Sequence, residues 1–322
     1  MPSPVGGGMT SDPHGRQADS PAEIPPTGWM AVMKRTFKEA GDDNLNLIAA
    51  GVAFYFFLAF VPLLAALVLT YGLVADPVTV VKHLQGLTQV LPADAARLIG
   101  EQLVSVTQAA QGEKGLGLLL ALLLALYGGM RGASSIITAL NIVYEEEERR
   151  GFVRTTLLAF LMTIGVVLVG VVGIIAVSVM GYVDDLLRGA GAVVHGVVRL
   201  VSWLLAALLA SMAIAAIYRY GPDRDEPKWR WLTPGSMIAT ALWLAATLGF
   251  AFYVSNFGSY NATYGSLGAV VVLLMWLYLS AYVLLLGAEL NAELEHQTAR
   301  DTTKGPEQPM GARDAAMADT VA

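Results

Sequence analysis

The chain of 322 residues is 55% hydrophobic and only 14% charged, with a net charge of −6 and a mean hydropathy of +0.57. Because an ordinary soluble domain carries roughly 25% charged residues, this composition excludes a water-soluble globule and indicates an integral membrane protein. The acidic balance argues against nucleic acid as a partner, since a basic face is needed to hold a phosphate backbone. The absence of cysteine excludes disulfides and thiolate metal sites.

The N-terminal part of the chain combines a polar tail with an amphipathic segment. Residues 1–28 are rich in Pro, Gly, Ser and Asp and lack an apolar period, which predicts a disordered tail. From Trp29 to Ala40, apolar side chains share one helical face and the basic residues lie outside it. This pattern predicts an amphipathic helix at the cytoplasmic membrane surface or, equally, a solvated helix packed on the bundle.

Six apolar runs between residues 29 and 295 are long enough to cross a bilayer, because ~20 residues at 1.5 Å each cover its ~30 Å hydrocarbon core. We therefore predict an all-α membrane bundle of six transmembrane helices with amphipathic interfacial helices. An even number of spans places both termini on one side, and the excess of Lys and Arg there predicts cytoplasmic termini. The spans are expected at about 46–74, 116–140, 156–181, 200–218, 233–257 and 266–290.

The first span carries a helix breaker and is followed by a long outer connection. Pro62 interrupts the span and predicts a kink, which either opens a cavity or fits the packing. Asn46, at the start of the span, either caps the helix or faces an inner vestibule. Residues 75–115 predict two short helices that form an outer cap or, more commonly for such segments, rest in the membrane interface.

The second span contains Arg131, which with Glu289 is one of two formal charges inside the six runs. An arginine at bilayer depth is costly and is expected to face protein or water. Gly128 and Gly132 flank it as a small-xxx-small pair, which predicts a close helix crossing. Arg131 is either a fixed cation for an anionic headgroup or carboxylate in a cavity, or it snorkels to the interface and pairs with a structural acid.

The last span ends in polar residues, of which Glu289 and Asn291 are candidates for a cavity or substrate site. Glu289 could accept hydrogen bonds from Arg131 or gate a pathway, whereas a solvated helix end is the simpler interpretation. The remaining residues, 296–322, predict a second disordered tail.

No motif for catalysis or cofactor binding is present. The four histidines lack metal-ligand spacing, and neither G-x-x-x-x-G-K-[ST] nor G-x-S-x-G occurs. We therefore expect no catalytic residues, no metal, no cofactor and no ATP site, and we expect the protein not to be an enzyme.

Several segments resemble the YihY/BrkB family of bacterial inner-membrane proteins over about residues 30–295. They are AAGVAFYFFLAFVPLL, LNIVYEEEERRGF, LTPGSMIATALWLAATLGFAFYVSNF and YGSLGAVVVLLMWLYLSAYVLLLGAELNAELE. The resemblance implies a multi-pass protein of the inner membrane. The family is also named for a serum-resistance virulence factor and once carried the name ribonuclease BN. That second label fits poorly, since RNA hydrolysis needs histidines or carboxylates beside a basic channel, and the inner loops here are short with mixed charge.

The expected function is movement or binding of an amphiphilic or anionic envelope compound, such as a lipid, without an ATP site of the protein's own. The expected partners are the bilayer, a lipid or anionic small molecule and, as an open alternative, further copies of the chain, but not nucleic acid. The rival hypothesis is a structural or scaffolding protein of the envelope. A cavity with Arg131 on its wall would favour transport, and a dry, packed interior would favour the scaffold.

Overall fold

The computed structural model describes residues 12–72, 116–186, 191–257 and 268–322, and the described residues form helices without strands. The predicted outer cap at 75–115 lies outside these ranges. After a short 3₁₀ turn at Pro21–Glu23, the helices in chain order are α1 (Pro26–Asp42), α2 (Leu45–Gly72), α3 (Leu116–Val143), α4 (Phe152–Leu186), α5 (Ala192–Tyr220), α6 (Trp229–Phe257), α7 (Gly268–His296) and α8 (Ala316–Asp319).

Four of the described helices, α4 to α7, are long and apolar enough to cross a membrane. α1 and the first part of α2 also pass this test when taken together, although a bend of 66° separates them. Counted as one broken span, they make a fifth. The all-helical membrane fold is thus confirmed, while the count of six spans stays a prediction. Helices α2 and α3 do lie where the first two spans are expected, and α2 continues through Pro62.

The corner between α1 and α2 is made by Asn44, whose φ of +54° lies in the left-handed region. Asparagine is among the few non-glycine residues that adopt this conformation readily, so the chain turns here at low cost. Helix α1 packs on α7 through its buried residues Val32, Thr36 and Ala40, whereas Phe37 is 60% exposed. The predicted amphipathic face is therefore divided between the bundle and the surroundings.

The helices differ greatly in how much of their surface other helices cover. Only 17% of the apolar window of α4 and 11% of that of α5 is buried, compared with 33% for α7. Because exposed apolar side chains dominate α4 and α5, these two helices present most of their surface to lipid. The main core instead lies at the end of the bundle formed by the start of α2 and the C-terminal ends of α1, α3, α5 and α7. We call this end, together with residues 144–151 and 221–228, the termini face.

Helices α6 and α7 cross very closely at Gly235 and Gly287. A Cβ atom on Gly235 would lie 2.1 Å from the carbonyl oxygen of Gly287, and one on Gly287 would lie 2.6 Å from the Cβ of Ala239. Only glycine permits these backbone distances. The crossing fixes α7 against α6 beside the buried polar residues of the termini face.

The segments on both sides of the membrane domain are ordered where the structure describes them, which corrects the prediction of two disordered tails. Thr298 Oγ1 donates to the Ala18 carbonyl at 2.7 Å, and the amide of Ala299 donates to the Arg16 carbonyl at 2.8 Å. The amide of Lys228 donates to Thr302 at 2.8 Å. Hydrogen bonds to distant backbone groups hold these polar segments, together with a few buried apolar side chains such as Ile24 and Met317.

Candidate functional site

An apolar cleft of about 530 Å³ opens between α4 and α5 and is closed at the back by α3 and Phe56 of α2. Leu161 and Val169 both line it and are 55% and 53% exposed, so the cleft is open to the surroundings of the bundle. Thr163 and Tyr220 carry the polar side-chain atoms of the lining. The other lining residues are Gly129, Ala133, Ile136, Leu158, Met162, Gly165, Val166, Ala213, Ala216, Ile217 and Gly221.

The cleft extends from the termini face into the bundle. On α5 the lining ends at Gly221, which is buried and follows the C-terminal end of the helix, and we call this end of the cleft its mouth. On α4 the lining runs from Leu158 to Val169. At 1.5 Å per residue this stretch is about 16 Å long, roughly half of the ~30 Å hydrocarbon core of a bilayer. The cleft is therefore about as deep as one leaflet.

Three arginines surround the mouth of the cleft, and two of them have partners. Arg150 Nη2 donates to the Gly221 carbonyl at 2.9 Å and to Glu148 at 2.7 Å. The hydrogen bonds from the Arg150 guanidinium hold the pKa of the Glu148 carboxyl below its ordinary value. Arg149 forms an ion pair with Asp314 at 2.9 Å. Both cations are thus neutralised locally.

The third arginine, Arg154, is exposed, and its side chain forms no hydrogen bond or ion pair within the part of the chain that the structure describes. It precedes Leu158, Leu161 and Gly165 by four, seven and eleven positions, which places it on the helical face that lines the cleft. The cleft therefore has apolar walls and an uncompensated cation one turn beyond its lining.

Arg131, the predicted cation of an inner cavity, does not line this cleft. It lies on the exposed side of α3, where Nη2 donates to the Tyr127 hydroxyl at 2.8 Å and the guanidinium carbon lies 5.1 Å from the ring centroid. Gly132 faces α2, and a Cβ there would contact that of Ala59 at 3.5 Å. Gly128 lies one turn earlier and is half-buried. Arg131 and Glu289 are thus not brought together.

Asn291 joins α7 to α6. Its Oδ1 accepts from the Gly235 amide at 2.8 Å, and its Nδ2 donates to the Leu232 carbonyl at 3.1 Å. Pro234 lies between these two residues inside α6, and a proline disturbs the hydrogen bonding of its own turn. Asn291 therefore satisfies helix backbone groups and does not line the cleft. Asn46, also predicted to face a vestibule, is exposed on the first turn of α2.

Glu289 lies in the protein interior with no exposed surface. Neither of its carboxyl oxygens has a hydrogen-bond partner among the described residues. The next acidic residues on α7 are paired, Glu293 with Arg35 of α1 and Glu295 with Arg224. The simpler interpretation of Glu289 as a solvated helix end is therefore wrong, because the tail segments and α1 cover this end of α7.

Two features of the site are not anticipated from the sequence, although a local signal exists for each. Arg154 lies in a charged run that is typical of a solvated loop, and only its spacing to Leu158 and Leu161 reveals the shared face. The α6–α7 crossing has a small-xxx-small signal in Gly235 and Ala239. Gly128 and Gly132 carry the same signal, so the pattern alone does not predict which of the two helix pairs crosses more closely.

The sequence profile described as virulence factor BrkB matches residues 36–311. The chain belongs to the BrkB family. A BrkB relative in Bacillus subtilis, named ribonuclease-like protein YfkH, is 31% identical over 82% of this chain and 95% of its own length. A UPF0761 membrane protein of Vibrio campbellii is 28% identical over 83% of both chains, and one of Photobacterium profundum is 30% identical over 56% of this chain and 55% of its own.

No solved structure matches the chain. The BrkB match contains the cleft, Arg154 and the buried Glu289, and it ends within the ordered C-terminal segment. The confirmed family places the chain among membrane proteins, in agreement with the apolar helices.

Proposed function

We propose that this protein binds an anionic phospholipid, with an acyl chain in the cleft between α4 and α5 and the phosphate at Arg154. The observation that carries the proposal is an apolar cleft one leaflet deep with an unpaired arginine at its mouth. This arrangement matches the order of the two parts of a phospholipid, a charged headgroup followed by an apolar chain. The volume of about 530 Å³ also lies within the range of small-molecule sites.

The same proposal includes the topology and the location. Six spans and cytoplasmic termini in a bacterial inner membrane would put the mouth of the cleft at the cytoplasmic headgroup layer. Anionic lipids attract basic side chains there by about 1 kcal/mol per residue. Arg154 then selects the headgroup, whereas the apolar lining selects for the chain by burial at about 25 cal/mol per Å².

We further propose that the protein is not an enzyme, and that it moves the bound lipid or presents it to other envelope components. Thr163 and Tyr220 supply the polar side-chain atoms of the lining, and neither lies beside a histidine or carboxylate within it. This donor set does not support hydrolysis. Purified protein incubated with RNA, with and without a chelator, tests the alternative suggested by the name of the YfkH relative.

Lipid retention measured by native mass spectrometry tests the site. Wild-type protein should retain phosphatidylglycerol over phosphatidylcholine of identical acyl chains, and Arg154→Gln should lower this preference about fivefold, the equivalent of about 1 kcal/mol. Arg131→Gln is the matched control, since it removes an exposed arginine outside the cleft. Loss of the preference in the Arg131 variant, but not in the Arg154 variant, would overturn the proposed headgroup site.

The apolar part of the site has its own test. A Cβ on Gly165 meets no atom within 4 Å, so Gly165→Leu should fold normally and place its side chain in the cleft. We expect it to lower the retention of both lipids. Gly173→Leu is the control on the same helix, as its Cβ is equally free and it lies outside the lining. Equal retention by the two variants would contradict binding in the cleft.

Movement of lipid requires a separate assay. Liposomes that contain the protein should exchange a labelled anionic lipid between leaflets faster than protein-free liposomes. If exchange is not accelerated under any imposed ion gradient, transport is wrong and binding alone remains.

A structural role is the second candidate, favoured by the ordered termini face. There the C-terminal segment joins residues 226–228 and 146, so the face is a fixed surface. If neither Arg154→Gln nor Gly165→Leu changes lipid retention, a scaffold that recruits envelope proteins replaces the lipid-binding function.

A further inference from the structure

Four polar residues alternate along the C-terminal part of α7, and each is at most 1% exposed. Three of them have partners. Asn291 accepts from a backbone amide of α6, Glu293 pairs with Arg35 of α1, and Glu295 pairs with Arg224. Glu289, the fourth, has no exposed surface and no hydrogen-bond donor for either oxygen within the described ranges. Residues four apart share a helix face, so Glu289 and Glu293 both lie on the side that α1 covers.

The charged groups that act on Glu289 are acidic. They are Asp43 and Glu39 from α1 and the corner after it, Glu145 from the turn after α3, and Glu293 from α7 itself. Burial of an ionised carboxylate without a donor is very costly, and neighbouring negative charge adds to that cost. The neutral acid is the form that this position accommodates.

The other elements packed on α7 do not supply a compensating cation. Helix α2 contains no charged residue, and the arginines of α3 and α6, Arg131 and Arg230, are exposed. On α8, Asp319 accepts from the amides of Gly311 and Arg313. The phenol of Tyr144 also interacts with Glu289.

We propose that Glu289 is a proton-binding site whose occupancy controls the docking of α1 on α7. With the proton bound, the uncharged carboxyl group fits the closed interior seen here. When the proton leaves, Glu289 becomes a second carboxylate one turn from Glu293, which Arg35 of α1 and, at 3.8 Å, His296 already contact. Competition for Arg35, or entry of water to the new charge, separates α1 from α7. This inference is independent of the lipid site.

A proton suits this position better than a metal ion does. Among the described residues, no group of three or more His, Asp or Glu side chains is arranged to hold a metal. Metal ions need several oxygen ligands at close distance. A proton needs only the one buried carboxyl group that is present.

Infrared difference spectroscopy of the full-length wild-type protein in nanodiscs tests the proton directly. A carboxylic-acid C=O band should be present at pH 7 and should disappear on titration to higher pH. The band should be missing from Glu289→Gln and retained in Glu147→Gln, which removes an exposed acid from the turn after α3. Carboxylate bands at pH 7 that shift on exchange of Na⁺, K⁺ or Ca²⁺ would overturn the proposal in favour of a cation site.

Hydrogen exchange of α1 tests the consequence without depending on the variant. In wild-type protein, exchange in Pro26–Asp42 should accelerate over the same pH range in which the C=O band is lost, after correction for intrinsic rates. Glu289→Gln carries no dissociable proton at this position, so its α1 should stay protected across that range. Protection of wild-type α1 that does not change while the band disappears would overturn the coupling.

Discussion

Arg224 and Glu295 form an ion pair whose side chains are both completely buried, with 2.6 Å between Nη2 and Oε2. Thr302 Oγ1 donates to the same carboxylate oxygen at 2.7 Å, and the Arg224 guanidinium carbon lies 5.0 Å from the centroid of the Tyr144 ring. The pair therefore connects α7, residues 221–228 and the C-terminal segment in one place. The residues of this cluster come from three distant parts of the sequence, around positions 144, 224 and 295–302.

Breaking this pair should destabilise the protein strongly. Arg224→Met leaves Glu295 as a buried charge without its cation, and such losses cost about 3 to 5 kcal/mol. The melting temperature of the detergent-purified protein should fall clearly. The double variant Arg224→Met/Glu295→Leu removes both charges and should recover much of the loss. A single variant that melts like wild type would show that water or another cation compensates Glu295.

The α6–α7 crossing predicts a sharp difference between two glycines of one helix. Gly235→Ala places a methyl group against the Gly287 carbonyl and Asn291, and overpacking of this kind costs about 1 to 3 kcal/mol. Gly249→Ala on the same helix meets no atom within 4 Å and should leave stability unchanged or slightly raised. Thermal unfolding of both variants checks the prediction, and equal effects would contradict the close crossing.

Asp43 predicts a pH dependence of stability at the α1–α2 corner. Burial raises its pKa from 3.8 to about 6, with repulsion from Glu145 and Glu39 adding to the shift. Because the folded protein then binds this proton more tightly than the unfolded chain, the associated stability is present below pH 4 and is lost as the pH rises through about 6. Asp43→Asn should therefore raise the melting temperature at pH 8 and not at pH 4. A stabilisation of equal size at both values would assign the effect to something other than ionisation.

The hydrogen bonds of Arg313 should hold the C-terminal segment in place. Its guanidinium donates to four backbone carbonyls, including those of Gln308 at 3.1 Å and Ala299 at 2.9 Å. Lysine has no planar fork with which to reach them together. In Arg313→Lys, limited proteolysis should cut residues 297–322 faster while the helices stay intact. Arg300→Lys is the control, because Arg300 is more exposed and reaches its acids only at 3.8 and 3.9 Å.

The sequence predicts the apolar helices well because hydropathy over a window is a local property. Helices α4 to α7 lie close to their predicted spans, and the BrkB resemblance is confirmed. The partners of Arg131 and Glu289 are not predictable in this way, since they depend on which helix faces are turned toward each other. Arg131 is exposed beside Tyr127, and Glu289 is enclosed without a cation.

The two terminal segments show a different limit of prediction from sequence. Their composition contains too little apolar surface to predict a packed core, which is why disorder is the natural expectation from sequence. Order arises instead from hydrogen bonds such as that from Gln297 Nε2 to the His14 carbonyl, 2.7 Å long. Composition does not report bonds between segments so far apart along the chain.

The hydrogen bond between His14 and Gln297 also spans 283 positions. A ribosome adding about 5 to 20 residues per second needs about 14 to 57 s to make that interval. During this time the N-terminal segment has been synthesised, but the C-terminal segment that will bind to it has not. The hydrogen bonds between these two segments therefore form only when synthesis is nearly complete, so their formation marks a finished molecule.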